Sequence, residues 1–219
     1  MLRRVDPVIV PTLGCIAAVL GLVGFLARPS ATQRRLRRLP QSTIAQAPAD
    51  RVVRIEGVIE TSLPALTAPL TGRSCAYWRV EVDIQSPRDP NIRVERGQEV
   101  RVRDGDGEVS VDLAAARVEG GARVDMRGTT GGVGFVTRGL PKPLEDFLRE
   151  EGGPARAFAR IVWGRELIVA AGDRVACAGR VRRDQSNEPT ERASYRAEPS
   201  RLVLQPSAEQ EVLVAVLAA

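Results

Sequence analysis

The sequence predicts a mainly β (α+β) protein: an N-terminal transmembrane helix followed by one β-rich domain that contains a single short helix. Three observations predict it. An uncharged apolar run occupies Val8 to Ala27, hydrophobic alternation of period two dominates after residue 51, and one soluble segment near Pro143 carries a helical pattern. The chain has 219 residues. The stretch at 51–206, behind the apolar run and the basic stretch, holds about 150 of them, enough for one ordinary hydrophobic core. The expected organisation is an anchor at 1–28, a basic juxtamembrane connector at 29–50, a β-rich domain at 51–206 and an apolar C-terminal tail at 207–219.

As a helix rising about 1.5 Å per residue, the apolar run spans roughly 30 Å, the thickness of a bilayer core. It is longer than the core of a signal peptide, and no small-x-small cleavage pattern follows. Cys15 does not mark a lipoprotein site, because apolar residues continue for twelve positions after it. Arg3 and Arg4 precede the run, whereas Arg28, Arg34, Arg35, Arg37 and Arg38 follow it, so the domain is expected on the cytoplasmic side of a single-pass protein. Arg34, Arg35, Arg37 and Arg38 are also candidates for contact with anionic lipid headgroups, at about 1 kcal/mol each near the surface. Gly14, Ala17, Ala18, Gly21 and Gly24 form a stripe of small residues, through which two spans could approach closely as a homodimer.

In the domain, Val53, Ile55 and Ile59 alternate with Arg54, Glu56 and Glu60, the pattern of a half-buried strand. Ala76, Trp78, Val80, Val82 and Ile84 form the inward set of a second strand, with Tyr77, Arg79, Glu81 and Asp83 outward. Residues 85–91, with Pro87 and Pro90, read as a loop. Val100, Val102, Val109 and Val111 flank Asp104-Gly105-Asp106-Gly107, a hairpin in which Asp and Gly tolerate positive φ. Residues 128–134 are a glycine-rich loop. The helix starts near Pro143, presents Leu144, Phe147 and Leu148 on one face, and stops at Gly152 and Gly153. Ile161 and Trp163, Leu167 and Val169, and Val175, Cys177 and Val181 suggest three strands, the last two joined by a turn at Ala171-Gly172-Asp173. A charged loop at 183–193 leads to a short strand with Leu202 and Leu204. The tail from Val212 is too short to span a membrane and reads as an edge strand or the stump of a second anchor. Short strands and glycine turns, with the stretch from Gly172 to Val181, suggest an OB-like topology for part of the domain.

Composition excludes much chemistry. There is no histidine, so the usual general base, dyad partner and transition-metal ligand are missing. Three cysteines without a CxxC pair make no structural zinc site. The D-G-D-G stretch lacks the ligand spacing of a calcium loop, and the 128–134 glycines lack the Lys-Ser/Thr pair of a phosphate loop. No catalytic residue, metal or cofactor is therefore expected. One enzyme alternative is Cys75 as a nucleophile with its thiol pKa lowered by Arg73 and Arg79, but no histidine can serve as its base. Net charge is +5, almost all of the cations are arginine, and aromatics make up only 4%. Nucleic-acid binding by an OB-like domain is a disfavoured alternative, since few flat side chains remain for stacking bases.

Three stretches, A-P-L-T-G-R-S-C-A-Y-W-R-V-E-V from Ala68 to Val82, V-R-D-G-D-G-E-V-S-V-D from Val102 to Asp112, and E-L-I-V-A-A-G-D-R-V-A-C-A-G-R-V from Glu166 to Val181, resemble the BAM ("beside a membrane") or GIDE domain. The motif positions are Pro69, Leu70, Gly72, Cys75, Tyr77, Asp104, Gly107, Gly172, Asp173 and Gly179. The domain lies between two transmembrane helices in the MULAN-type RING ubiquitin ligases of mitochondria and chloroplasts, and bacterial membrane proteins carry it too. The resemblance covers residues 51–205 and implies a membrane-proximal interaction or sensing module. It does not imply ligase chemistry here, because three cysteines and no histidine cannot supply the eight zinc ligands of a RING. The partners it implies are membrane lipid and a protein that the sequence does not identify.

Overall fold

The computed structural model describes residues 30–61, 63–84, 91–130, 139–151, 160–184, 201–207 and 211–217. The elements, in chain order, are α1 (Ala31–Arg37), β1 (Val52–Glu60), β2 (Leu66–Thr67), β3 (Ser74–Cys75), β4 (Tyr77–Ile84), β5 (Ile92–Gly97), β6 (Glu99–Arg103), β7 (Glu108–Asp112), β8 (Arg117–Glu119), β9 (Ala122–Thr130), α2 (Lys142–Glu150), β10 (Arg160–Val169), β11 (Arg174–Asp184), β12 (Arg201–Gln205) and β13 (Leu213–Val216). The protein is mainly β, as the alternating pattern predicts.

Five strands close into a ring. β1 pairs with β6, β6 with β7, β7 with β12, β12 with β11, and β11 returns to β1. Every pair is antiparallel except β7 with β12. One side chain in two points into this barrel: Val53, Ile55 and Ile59 from β1, Val100 and Val102, Val109 and Val111, then Val175, Cys177 and Val181 pack as one core. β11 has two successive neighbours on its second edge, β13 along 175–178 and β12 along 180–184, and β8 extends the sheet beyond β13.

Two insertions into the barrel build a four-stranded antiparallel sheet, ordered β5-β4-β10-β9. β4 and β5 lie between β1 and β6 in sequence, and β9 and β10 lie between β7 and β11. One face of this sheet carries Trp78, Val80, Val82, Ile84, Val162 and Ile168 under α2, which inserts Leu144, Phe147 and Leu148. At roughly 1.5–3 kcal/mol per large buried side chain, those three residues alone hold the helix on the sheet. Gly164 makes the close approach: a Cβ there would lie 2.7 Å from Leu144 Cδ1.

Several expectations are corrected. The patterns at 161–169 belong to one strand, not two, and its inward set is Val162, Gly164, Glu166 and Ile168, while Trp163 is 42% exposed. Ile161 and Trp163 looked like the buried parity only because the true inner set contains a glycine and a glutamate, whereas Val169 is buried and Leu167 partly buried, as expected, against the barrel core. Tyr77 is buried rather than outward, because β4 begins where the four-stranded sheet meets the barrel and Tyr77 joins the barrel core with Val169. β8 and β9 were not anticipated. The helix begins at Lys142, so Pro143 sits one position later in the first turn, where its missing N–H would be unpaired anyway. The tail is no anchor stump, since Leu213–Val216 is a buried strand between β11 and β8. Residues 183 and 184, expected in a loop, extend β11. Residues 128–130, expected in the glycine-rich loop, end β9. The rest of the loops expected at 85–91, 128–134 and 183–193, apart from residue 91, and Gly152 and Gly153, lie outside the described residues.

The connector is not a free linker. Ser30 and Gln33 form a reciprocal capping box at the start of α1. Leu36, 2% exposed, packs on Ala176, Ala178, Leu213 and Ala215 of the outer barrel face. Thr32 Oγ1 donates to Glu119 Oε1 on β8 at 2.5 Å. Beyond the helix, the Arg54 N–H donates to Pro40 O, Ile44 is buried in the barrel core, and the Asp50 N–H donates to Val181 O. Among the described residues no helix is long and apolar enough to cross a membrane; the expected span, 8–27, lies outside them.

Candidate functional site

The motif residues fall into separate structural roles. Pro69, Leu70, Gly72 and Cys75 belong to the β2–β3 hairpin, whose turn is closed by the Gly72 N–H donating to Ala68 O at 2.9 Å. Gly72 has φ +68°, in the left-handed region that favours glycine. Leu70 is buried, and its N–H donates at 2.7 Å to Oε1 of Glu166, which rises from β10 with no solvent exposure. The other oxygen of Glu166 has no partner among the described groups. A buried carboxylate thus holds the hairpin onto the inner face of the four-stranded sheet.

Cys75 lies beside it. Burial first, and then the Glu166 charge, push its thiol up to about 11, and Sγ lies 3.6 Å from Leu66 O. The direction is opposite to the lowering expected from Arg73 and Arg79, and a thiol held protonated at neutral pH is a poor nucleophile. Cys177, in the barrel core, is pushed up to about 12 by burial alone. The Tyr77 hydroxyl donates to Glu95 Oε2 at 2.9 Å. Its pKa is pushed up to about 12, by burial and then by that bond to Glu95.

The remaining motif residues shape the turns and strand contacts of the barrel. Asp104 Oδ1 accepts from the Asp106 and Gly107 N–H groups, and Oδ2 accepts from the Ile44 N–H at 2.6 Å. Its oxygens are engaged with backbone, which accounts for the D-G-D-G stretch as a turn. A Cβ on Gly107 would meet Ile44 Cγ2 at 3.0 Å. Gly172, at φ +89°, donates its N–H to Ile59 O, and Asp173 Oδ2 accepts from the Ala170 N–H. Gly179 pairs with Val53, and a Cβ there would lie 3.2 Å from Gln205 O. The ten motif positions therefore do not converge on one cleft; they form turns, a docked hairpin and close strand contacts. Among the described residues no group of three or more His, Cys, Asp or Glu is placed to hold a metal.

Two surfaces stand out instead. On α1, Thr32 and Leu36 point inward, and Arg34, Arg35, Arg37 and Arg38 all point to solvent. The open face of the four-stranded sheet is a charge lattice: Arg93, Glu81, Arg165 and Asp125 lie side by side across β5, β4, β10 and β9. Arg165 Nε is 3.2 Å from Asp125 Oδ1 and Arg93 Nη1 is 3.9 Å from Glu81 Oε1. Beside this row the Arg127 guanidinium stacks 4.3 Å from the Trp163 ring. A cleft of about 550 Å³ lies between this face and β8, lined by Arg79, Arg93, Glu95, Arg117 and Glu119 among others. Sequence reasoning missed Glu166, whose only signal is a charged residue in phase with Val162 and Ile168, and the Trp163–Arg127 pair, which depends on β9.

Geometry thus defines a mainly β protein with a closed barrel and a helix-covered sheet. No family model, no curated protein and no solved structure matches the chain.

Proposed function

We propose that this chain is a membrane-anchored, non-enzymatic interaction module of the BAM/GIDE type, with residues 8–27 spanning the bilayer and the domain on the cytoplasmic face. The observation that carries this proposal is α1: in the residues just after the apolar run, one helix face is fixed to the barrel and Arg34, Arg35, Arg37 and Arg38 all face outward, positioned for anionic headgroups. The ring order supports an OB-like barrel, because β1, β6 and β7 form an antiparallel meander and β7 runs parallel to β12, the fifth ring strand in sequence. Use of that barrel for nucleic acid has little support: of the aromatic residues described, Tyr77, Trp78 and Phe147 are buried and Arg127 already covers Trp163. The partner is a protein or a lipid, and the span's small-residue stripe allows a homodimer. Ligase activity is not part of the proposal, because the RING ligands are missing from the sequence.

The test is extraction of membranes carrying the full chain. Resistance to both alkaline carbonate and high salt is expected, since a spanning helix does not depend on electrostatics. Release by salt alone refutes the anchor.

A further inference from the structure

The outer face of β11 reads Arg174, Ala176, Ala178, Arg180, Arg182, each about 7 Å from the next. The two alanines are the seat of α1, so the arginines flank the docked helix at both ends. Arg54 lies beside Ala178 on β1, and its N–H bonds to Pro40 O just past the helix. Helix and strands therefore present one surface carrying Arg34, Arg35, Arg37, Arg38, Arg174 and Arg182, with the half-buried Arg54 and Arg180 at its floor. The carboxylates paired with it are few: Glu56 with Arg54 and Arg174, and Asp50 with Arg182 at 3.8 Å. Arg174 and Arg182 are more than half exposed.

We propose that this whole face is a docking surface for an anionic phospholipid bilayer, with the barrel lying on its side against the headgroups and β7 turned away from them. The proposal rests on the anchor proposed above and adds Arg174 and Arg182 to the contact. Its occupant follows from the chain path. Ser30 lies three residues beyond Ala27, a reach of at most about 10 Å. A flexible linker would leave the barrel free to tumble, but Leu36, the Thr32–Glu119 bond and the Arg54–Pro40 bond fix α1 to the barrel. Whatever surface α1 meets, the β11 face meets as well. Each arginine near such a surface contributes roughly fivefold to docking, corresponding to about 1 kcal/mol.

The test uses the full chain with Cys15→Ser, reconstituted in vesicles of phosphatidylcholine with or without 30% phosphatidylglycerol. An environment-sensitive dye is attached at Val58→Cys, on the outer face of β1 opposite Arg174, or at Glu108→Cys on β7, across the ring from β11. Cys75 and Cys177 are buried and stay unlabelled. Quenching by headgroup nitroxide lipid is expected at 58 and not at 108, only in the anionic vesicles, and to fall with salt. Arg174→Ala with Arg182→Ala should lower the docked population roughly 25-fold and leave carbonate-resistant insertion unchanged. Equal quenching at 58 and 108, or quenching indifferent to phosphatidylglycerol and to the double substitution, overturns the side-on docking with the anchor intact. Loss of insertion itself overturns the anchor instead.

Discussion

Replacing Glu166 separates the charge of its side chain from its hydrogen bond. In Glu166→Ala the buried Leu70 N–H loses its acceptor, which costs about 1–3 kcal/mol, and the vacated space adds roughly another 1–2. In Glu166→Gln the amide oxygen can still accept from Leu70, and the NH₂ group takes the place of Oε2, which has no partner among the described residues. The hydrogen bond weakens by about half on losing its charge, but the cost of keeping a carboxylate out of water, several kcal/mol, disappears. Both substitutions remove that cost, so the alanine variant should be less stable than the glutamine variant by about 2–5 kcal/mol, the lost acceptor and the vacated space together. At about 2–4 °C per kcal/mol for a domain of this size, the two variants should melt at least roughly 4 °C apart. Thermal unfolding of the detergent-solubilised full chain, followed by near-ultraviolet circular dichroism, measures the difference. Equal melting temperatures for the two variants would refute the assignment of Glu166 as the acceptor that holds the hairpin. In the glutamine variant the Cys75 pKa should also fall from about 11 toward its ordinary value, read by thiolate absorbance, with burial keeping part of the rise.

The Glu119 carboxyl is held below its ordinary pKa: burial opposes the shift, but hydrogen bonds from Ser30 and Thr32 and the nearby Arg117 outweigh it. Its contribution to α1 docking is therefore full above about pH 4.3, the ordinary glutamate value, and is lost as pH falls through the lowered value. Hydrogen exchange of residues 31–37, corrected for intrinsic rates, should rise over that window, and Glu119→Gln should remove the pH dependence. Gly57→Ala should cost more than Gly172→Ala, by at least about 1 kcal/mol in chemical unfolding. The first puts a Cβ 2.5 Å from Arg103 O in the neighbouring strand, whereas the second meets nothing within 4 Å and pays only for its positive φ. Cys75 and Cys177 should resist thiol reagents until the protein is unfolded, so topology is better read from Asp106→Cys on the exposed hairpin tip, in the Cys15→Ser background. Modification of that residue by an impermeant reagent before lysis would reverse the cytoplasmic assignment.

What was legible in the sequence is what depends on one strand at a time. Val80, Val82 and Ile84 gave β4 its buried parity, and Asp104 to Gly107 gave the β6–β7 turn, because alternation and turn chemistry are local. β9 was missed because it offers only Val124 and Met126 as apolar inward residues, and its other face belongs to a charge lattice that exists only across strands. The parity of β10 was misread because Gly164 accommodates Leu144 and Glu166 binds the hairpin, both needs set by distant segments. One isoleucine, Ile44, enters the barrel core and holds residues 41–50 against the barrel, and a single large apolar residue carries no period. The four helix arginines were visible as a cluster; their shared face with Arg174 and Arg182 required knowing that Ala176 and Ala178 seat α1.

β11 touches β1, β12 and β13, and so joins the start of the domain to its end. During synthesis β1 emerges early and its β11 edge has no strand to pair with until nearly the whole chain has been made. The ring then closes only when β12 arrives. Contacts this distant in sequence form slowly, which leaves the barrel's inner valines uncovered while translation proceeds. Destabilising changes within β11 should accordingly lower the yield of assembled protein more than equal changes within β4, whose neighbour β5 follows it closely in the chain.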